Sequence, residues 1–298
     1  MSRFRFNAFD VFNVIFFCIL MFLMLYPFWS ILMTALITPF ENAHRAFILW
    51  PQDITLASFN FVFGTDRFPR SFVITSFVTV MTTIYNLLIT ASCAYALTKK
   101  TVPGYRIIMA LLVATMFFSG GLIPWYMLIR SLGMLNTLWP LIVGSMGFIN
   151  FAIIRAFIYQ IPEGLEESAF MDGASELRIF ISIILPLSKP VLVVIALWTA
   201  VGAWNAFFGA MLFLPTRPDL HTLQLILRQL VVGEDGGGGA IGAAEEMAFR
   251  LRFGHDAAMF PEGIRSAAII VVTTPMLLFF PFLQKHLTKG IYLGSMKG

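Results

Sequence analysis

The chain has 298 residues, 58% of them hydrophobic and only 12% charged, with a mean hydropathy of +0.83 and a formal charge of +4. A soluble globular domain carries about 25% charged residues, and a water-soluble fold of this length has nowhere to hide so much apolar surface. The cations gather into no nucleic-acid-type patch, and Cys18 and Cys93 lie in apolar runs as small hydrophobes, so neither a nucleic-acid partner nor a disulfide framework is implied.

A helix needs about 20 largely apolar residues to cross the hydrocarbon core, and six windows offer that length: 11–37, 71–97, 107–129, 137–159, 190–213 and 264–284. The first follows Arg3 and Arg5 as a secretory signal would. It runs on to about Ile37 without a small-residue cleavage site, however, and reads as a retained transmembrane helix. Pro27, Pro124, Pro140 and Pro275 fall within or at the edges of these windows. Carbonyls freed there need neighbouring helices or cavity water, so the prolines read either as kinks beside a cavity or as ordinary membrane-helix residues. Six spans put both termini on one side. With the N-terminus cytoplasmic, every lysine is cytoplasmic too: Lys99, Lys100, Lys189, Lys285, Lys289 and Lys297. The outer segments 38–70 and 214–263 then mix arginines with Asp53, Asp66, Glu234 and Asp235. The run 233–242, GEDGGGGAIG, promises a mobile loop; no Gly-Lys-Ser/Thr follows it, so it is not a phosphate cradle.

Between the fourth and fifth windows lies one long cytoplasmic insertion, residues 161–190, which reads as two short helices. Pro162 suits a first helical turn, Glu163, Glu166 and Glu167 complement the positive end of the dipole, and Gly173 supplies a stop. The second helix starts near Ser175 and places Leu177, Phe180, Ile181 and Ile184 on one stripe, with Pro186 and Pro190 ending it. By periodicity alone this helix is equally a connector lying on the membrane surface.

The order Glu167, Ser168, Ala169, then Gly173, then Ile183, Leu185 and Pro186 resembles the EAA loop of bacterial ABC importer permeases in every spacing. Ser168 replaces the first alanine, a small-for-small change, and Asp172, Gly173 and Ala174 match the DGA of the carbohydrate-importing branch. The segments 117–137, 198–214 and 281–298 look like the LplC-type polysaccharide permeases of that family, most of all the second permease subunit of alginate importers. The resemblance covers essentially the whole chain. It implies an all-α integral membrane protein of about six helices with the type I ABC importer permease fold. It also implies a single permease domain over 1–298, with a coupling loop at about 160–189 that docks into an ATPase and an outward loop at about 214–263 that meets a binding protein. The implied partners are a second homologous permease subunit, two ATPase subunits, an extracytoplasmic sugar-binding protein and the lipid of the bacterial cytoplasmic membrane. ATP and Mg belong to the ATPase; this chain carries no cofactor and is not an enzyme. The implied cargo is an oligosaccharide, an acidic, alginate-like one, moved by alternating access.

Candidates for the path are less sharply marked. Trp125, Tyr126, Trp198 and Trp204 suit sugar rings in a wet cavity and equally suit interfacial anchoring or packing. Asn150 and Asn205 are polar at membrane depth, where such side chains face protein or water. Arg130 and Arg155 either meet an anionic sugar or snorkel to an interface. An ion-coupled secondary transporter needs an intramembrane carboxylate, and none lies well inside a window; a membrane enzyme needs clustered His, Asp or Glu, and His44, His221, His255 and His286 are scattered. FSGG at 118–121 superficially matches an ATPase signature but sits in an apolar span without a Walker motif.

Overall fold

A computed structural model describes residues 8–44, 49–144, 147–232 and 262–278. The glycine-rich run from 233, most of the outward loop, and the tail from 279 with Lys285, Lys289, Lys297 and His286 lie outside the described residues, as do Arg3 and Arg5. The regular structure of the described residues is helical, and the chain divides into two compact units, 1–69 with 227–275 and 70–226 with 276–298.

In the first unit, α1 (Ala8–Leu36) runs 29 residues, roughly 43 Å and longer than the hydrocarbon core. None of its apolar window is buried within the protein, so the surface it presents is one for lipid or a membrane partner. At its end Trp29 donates its indole N–H to Leu49 O at 2.9 Å and lies beside Trp50. The short helix α2 (Pro39–His44) carries the buried Glu41, whose carboxylate accepts the backbone N–H of Gln52 at 3.0 Å and so fixes the returning segment. Helix α3 (Ala57–Gly64) packs on α1 through the buried Phe61 and Val62. A further helix covers 262–278 and includes Pro275.

Each of the six windows holds helix, but among the described residues only the first two are single unbroken helices long enough to span, the second being α4 (Arg67–Ala96). The window 107–129 divides into α5 (Tyr105–Phe117) and α6 (Leu122–Ser131), because Gly121 takes φ +84°. Pro124 falls in the first turn of α6, where its missing N–H costs no hydrogen bond, so it starts a helix instead of kinking one. The window 137–159 holds a single turn, α7 (Trp139–Ile142), and then α8 (Phe148–Ile158). The helix α9 (Glu163–Met171) follows, then α10 (Glu176–Ile179), a π turn over Phe180–Ile184 and α11 (Leu185–Leu187) as one continuous segment. This segment meets α12 (Lys189–Asn205) at an 80° bend. Helices α13 (Phe208–Phe213) and α14 (Leu223–Val232) complete the order.

Two expectations about the insertion change. Pro186 does not end the second helix: the π turn before it widens the backbone, Leu185 N–H bonds Phe180 O five residues back, and helix continues to Leu187. Pro190 lies in the first turn of α12 and begins it. The π turn also shifts the apolar phase, so the fully buried pair is Ile179 and Ile184, five apart, while Leu177 and Ile181 of the expected stripe stay exposed.

Candidate functional site

The motif-bearing loop builds on a core at one end of the second unit, where Ala94, Phe151, Ile154, Ile179, Ile184 and Ile195 are buried together from α4, α8, the π segment and α12. Helix α9 ends as the sequence requires. Asp172 is its last partly helical residue, Gly173 takes φ +78°, Gly173 N–H bonds Phe170 O and Ala174 N–H bonds Ala169 O, each at 2.9 Å. These two bonds are a complete Schellman closure. A Cβ at Gly173 would meet nothing within 4 Å, so only the backbone conformation calls for glycine there. On the next helix Ser175 is the N-cap, its Oγ accepting Arg178 N–H.

The residues of the motif divide into an inner and an outer face. Ala169, Ala174 and Ile183 pack against the core, and Leu185 is half-buried. Glu163, Glu167, Ser168, Asp172 and Pro186 are exposed. Ser168, the one departure from the motif, spends its hydroxyl on Gly164 O at 2.7 Å, so the serine sits away from the packed contact and disturbs nothing. Glu166 differs from its exposed neighbour: its carboxylate is ion-paired with Lys99, and its side chain is only 15% exposed. Glu163 and Glu166 both lie in the first turn, as the dipole favours.

The inner end of α4 is held from two sides. Tyr95 donates its phenol O–H to Glu176 Oε2 at 2.7 Å and stacks on Phe180, ring centroids 5.3 Å apart. From α8, Arg155 donates Nε–H to Leu97 O at 3.0 Å and Nη2–H to the phenol oxygens of Tyr105 and Tyr159 at 2.5 and 2.8 Å, while Tyr159 O–H reaches Thr98 O. Arg155 therefore serves a carbonyl at a helix C-terminus, where a cation is favoured. This structural contact stands beside the two readings of this residue, anion contact and snorkelling.

A second feature of this unit is a cavity of about 360 Å³ lined by neutral groups, among them Thr82, Asn86, Asn150, Thr199 and Thr222. It is framed by helix breaks. Leu141 O, at the end of α7, accepts the Thr82 hydroxyl at 3.2 Å, and Ala206 O, in the break between α12 and α13, accepts the Thr222 hydroxyl at 3.4 Å. Backbone freed at membrane depth survives where side chains or a cavity satisfy it, as these pairs do. Gly209 lies so close that a Cβ would stand 3.0 Å from Leu141 Cδ2. Thr199 Oγ1 is buried without a hydrogen-bond partner.

Of the residues nominated for the path, Asn150 alone lines this cavity. Asn205 donates to Val201 O at 2.9 Å and accepts from Gln224, so its amide is used nearby. Trp204 is buried, edge-on to Phe72, and is a packing residue; Tyr126 stacks on Phe213. Trp125, Trp198 and Arg130 are exposed on this subunit. Missed from sequence were Thr82 and Asn86, although Val78, Thr82 and Asn86 recur every fourth residue along α4, the signal of one helix face. Lys99 and Tyr95 carried no comparable signal, since their partners lie 67 and 81 residues away.

The comparisons agree with this geometry. The model of the family described as binding-protein-dependent transport system inner membrane component matches residues 87–292. Protein LplC of Bacillus subtilis is 39% identical over 293 residues, covering 98% of this chain and 96% of that protein. The polygalacturonan/rhamnogalacturonan transport system permease protein YtcP, also from Bacillus subtilis, is 37% identical and covers 91% and 92%. A chain from the crystal structure of a bacterial ABC transporter involved in the import of the acidic polysaccharide alginate superposes with a TM-score of 0.84 at 27% identity, covering 95% of this chain and 99% of that one. The all-helical fold is thus the type I importer permease fold, and ATP hydrolysis belongs to a separate subunit. The chain belongs to the binding-protein-dependent transport system inner membrane components, as a non-catalytic, multi-pass permease subunit of an ABC importer.

Proposed function

We propose that the chain, paired with a second permease subunit, two ATPases and an extracytoplasmic binding protein, carries an oligosaccharide across the bacterial cytoplasmic membrane by alternating access. The observation that carries the sugar reading is the neutral hydrogen-bonding cavity framed by two helix breaks, set beside relatives named for polysaccharide transport. Threonine hydroxyls and asparagine amides donate and accept alike, which suits sugar hydroxyls; alternating exposure then needs a path open to one side at a time. In this reading residues 1–298 form one permease domain. Both termini and the loop at about 160–189 face the cytoplasm, and the 214–263 loop faces the binding protein. The loop's exposed face, with Glu163, Glu167 and Asp172, meets the ATPase, while Ala169, Ala174, Ile183 and Leu185 tie it to the helices behind.

For the cargo we take an acidic oligomer, as in the alginate importer it resembles. Among the described residues the cavity lining offers no cation, so charge for a uronate comes from Arg130 at the end of α6 or from the companion subunit, since an unpaired buried carboxylate is costly. The test is ATP hydrolysis by the reconstituted complex with uronic-acid oligomers and neutral oligomers of equal length. Stimulation by the uronic set, at least about fivefold over the neutral set, is expected. Stimulation by neutral sugars alone refutes the acidic cargo and leaves the permease assignment standing.

A further inference from the structure

Two routes lead from the loop to the cavity. The covalent one passes through the π turn at Phe180–Ile184, Pro186 and the 80° bend, where the buried Ser188 hydroxyl has no hydrogen-bond partner. A widened turn, a proline and a sharp bend make a compliant joint. The other route is α4, an unbroken helix of 30 residues. Its inner end meets both helices of the loop: the Lys99 ammonium pairs with Glu166 of α9, and the Tyr95 hydroxyl bonds Glu176 of α10. Lys99 Nζ also stands 5.3 Å over the Tyr95 ring. About 20 Å further along the axis, at roughly 1.5 Å per residue, the same helix presents Thr82 and Val78 to the cavity, with Thr82 holding Leu141 O. Between loop and helix is a space of about 600 Å³ bordered by Tyr95, Lys99, Val102, Glu176 and Phe180. Beside this space the polar tips and the ring stack add to the buried packing of Ala94, Tyr95 and Leu97 with Ile179 and Ile184, and together they make this connection.

We propose that Lys99 and Tyr95 are positioning residues for coupling: they fasten the inner end of α4 to both halves of the loop, so that displacement of α9 reaches the cavity through α4. Arg155 completes the fastening from α8: it bonds Leu97 O and the phenol oxygen of Tyr159, whose own hydroxyl reaches Thr98 O. The proposal rests on the coupling-loop reading above, and the wild-type arm of its test judges that reading separately.

The experiment uses the reconstituted complete transporter, and reads sugar moved per ATP hydrolysed. Lys99→Glu and Glu166→Lys are each expected to lower this ratio about tenfold, and the two together to return it to within about twofold of wild type. Tyr95→Phe, which keeps the ring stack and loses the bond to Glu176, is expected to lower it about threefold. A structural role alone would lower the amount of assembled transporter and leave the ratio unmoved, whereas charge exchange tests that the two side chains act as a pair. In parallel, Val78→Cys in a background with Cys18 and Cys93 changed to Ser reports the cavity: its reaction with an impermeant maleimide should change on ATP trapping, and should stop changing when Lys99→Met is added. Single reversals with the wild-type ratio, a double reversal as defective as either single, or an unaltered nucleotide response with Lys99→Met each overturn the proposal. Where a reversal fails to assemble, the Lys99→Met reporter decides. If the wild-type chain binds no ATPase and Val78→Cys ignores nucleotide, the coupling reading itself fails and takes this proposal with it.

Discussion

The inner end of the second unit and the cavity are held by opposite chemistry. At the inner end charged side chains reach across the chain, Lys99 pairing with Glu166 and Arg155 donating to Leu97 O, around a loop whose residues follow one another in sequence. Around the cavity the lining atoms are neutral and come from α4, α7, α8, α12 and the segment before α14, far apart in sequence. A docking element that must be recognised by another protein is contiguous and strictly spaced. In the proposed function the cavity is a path that must release its cargo, and weak, single hydrogen bonds, each worth about 1 kcal/mol net, suit that.

Three measurements can break or sharpen that contrast. The largest effect is expected from the cavity: Asn150→Leu combined with Thr199→Val should lower uptake about tenfold or more while the chain still co-purifies with its ATPase. Uptake at wild-type level would remove the cavity from the path. At the loop, Gly173→Val forces a β-branched residue to φ +78°, at a cost of about 1–2 kcal/mol or more, and should reduce ATPase co-purification several-fold. Gly173→Asn, which tolerates that conformation, should reduce it less. Equal recovery of all three would mean the loop closure does not matter for docking.

The smallest effect concerns the loop before α14. Asp219 accepts two hydrogen bonds of 2.8 Å from Arg217 and a third of 3.3 Å from Arg70. The Arg217 hydrogen bonds hold its carboxyl down at about 2, against an ordinary 3.8. A lowered value stabilises the folded form above the ordinary value and loses that contribution as pH falls from about 4 through about 2. Thermal stability should therefore be indifferent to this group between pH 5 and 8, and Asp219→Asn should matter little there because the site is solvent-screened. A marked loss in the variant at pH 7 would show that the cluster does more than tether a loop.

Much of this was legible before the structure, for reasons particular to each element. The membrane windows follow from composition because lipid admits little besides apolar helices. Gly173 was readable as a stop because its role is local to four residues. The break at 118–121 and the end of α7 at Ile142 had their glycines in plain view, but an apolar run reads as continuous until tertiary partners such as Thr82 take the freed carbonyls. The break at Ala206–Phe207 has neither glycine nor proline and is held from outside by Thr222, so nothing in its own residues announces it. Glu166 read as one of three exposed dipole acids, because only the fold places Lys99 against it.

The π turn sets a phase. In an α-helix each residue advances the face by about 100°, and the turn at Phe180–Ile184 takes up one extra residue with little added rotation, so Ile179 and Ile184 keep one buried face at a spacing of five. The bearing of α9 relative to α12 is thus written in a single residue of length. Substitutions that closed the turn to ordinary α-helix without removing a residue would swing Glu176, with everything before it, by about 100°. The motif would survive letter for letter and face the wrong way, which makes the count of residues in this loop as much a part of its specification as their identity.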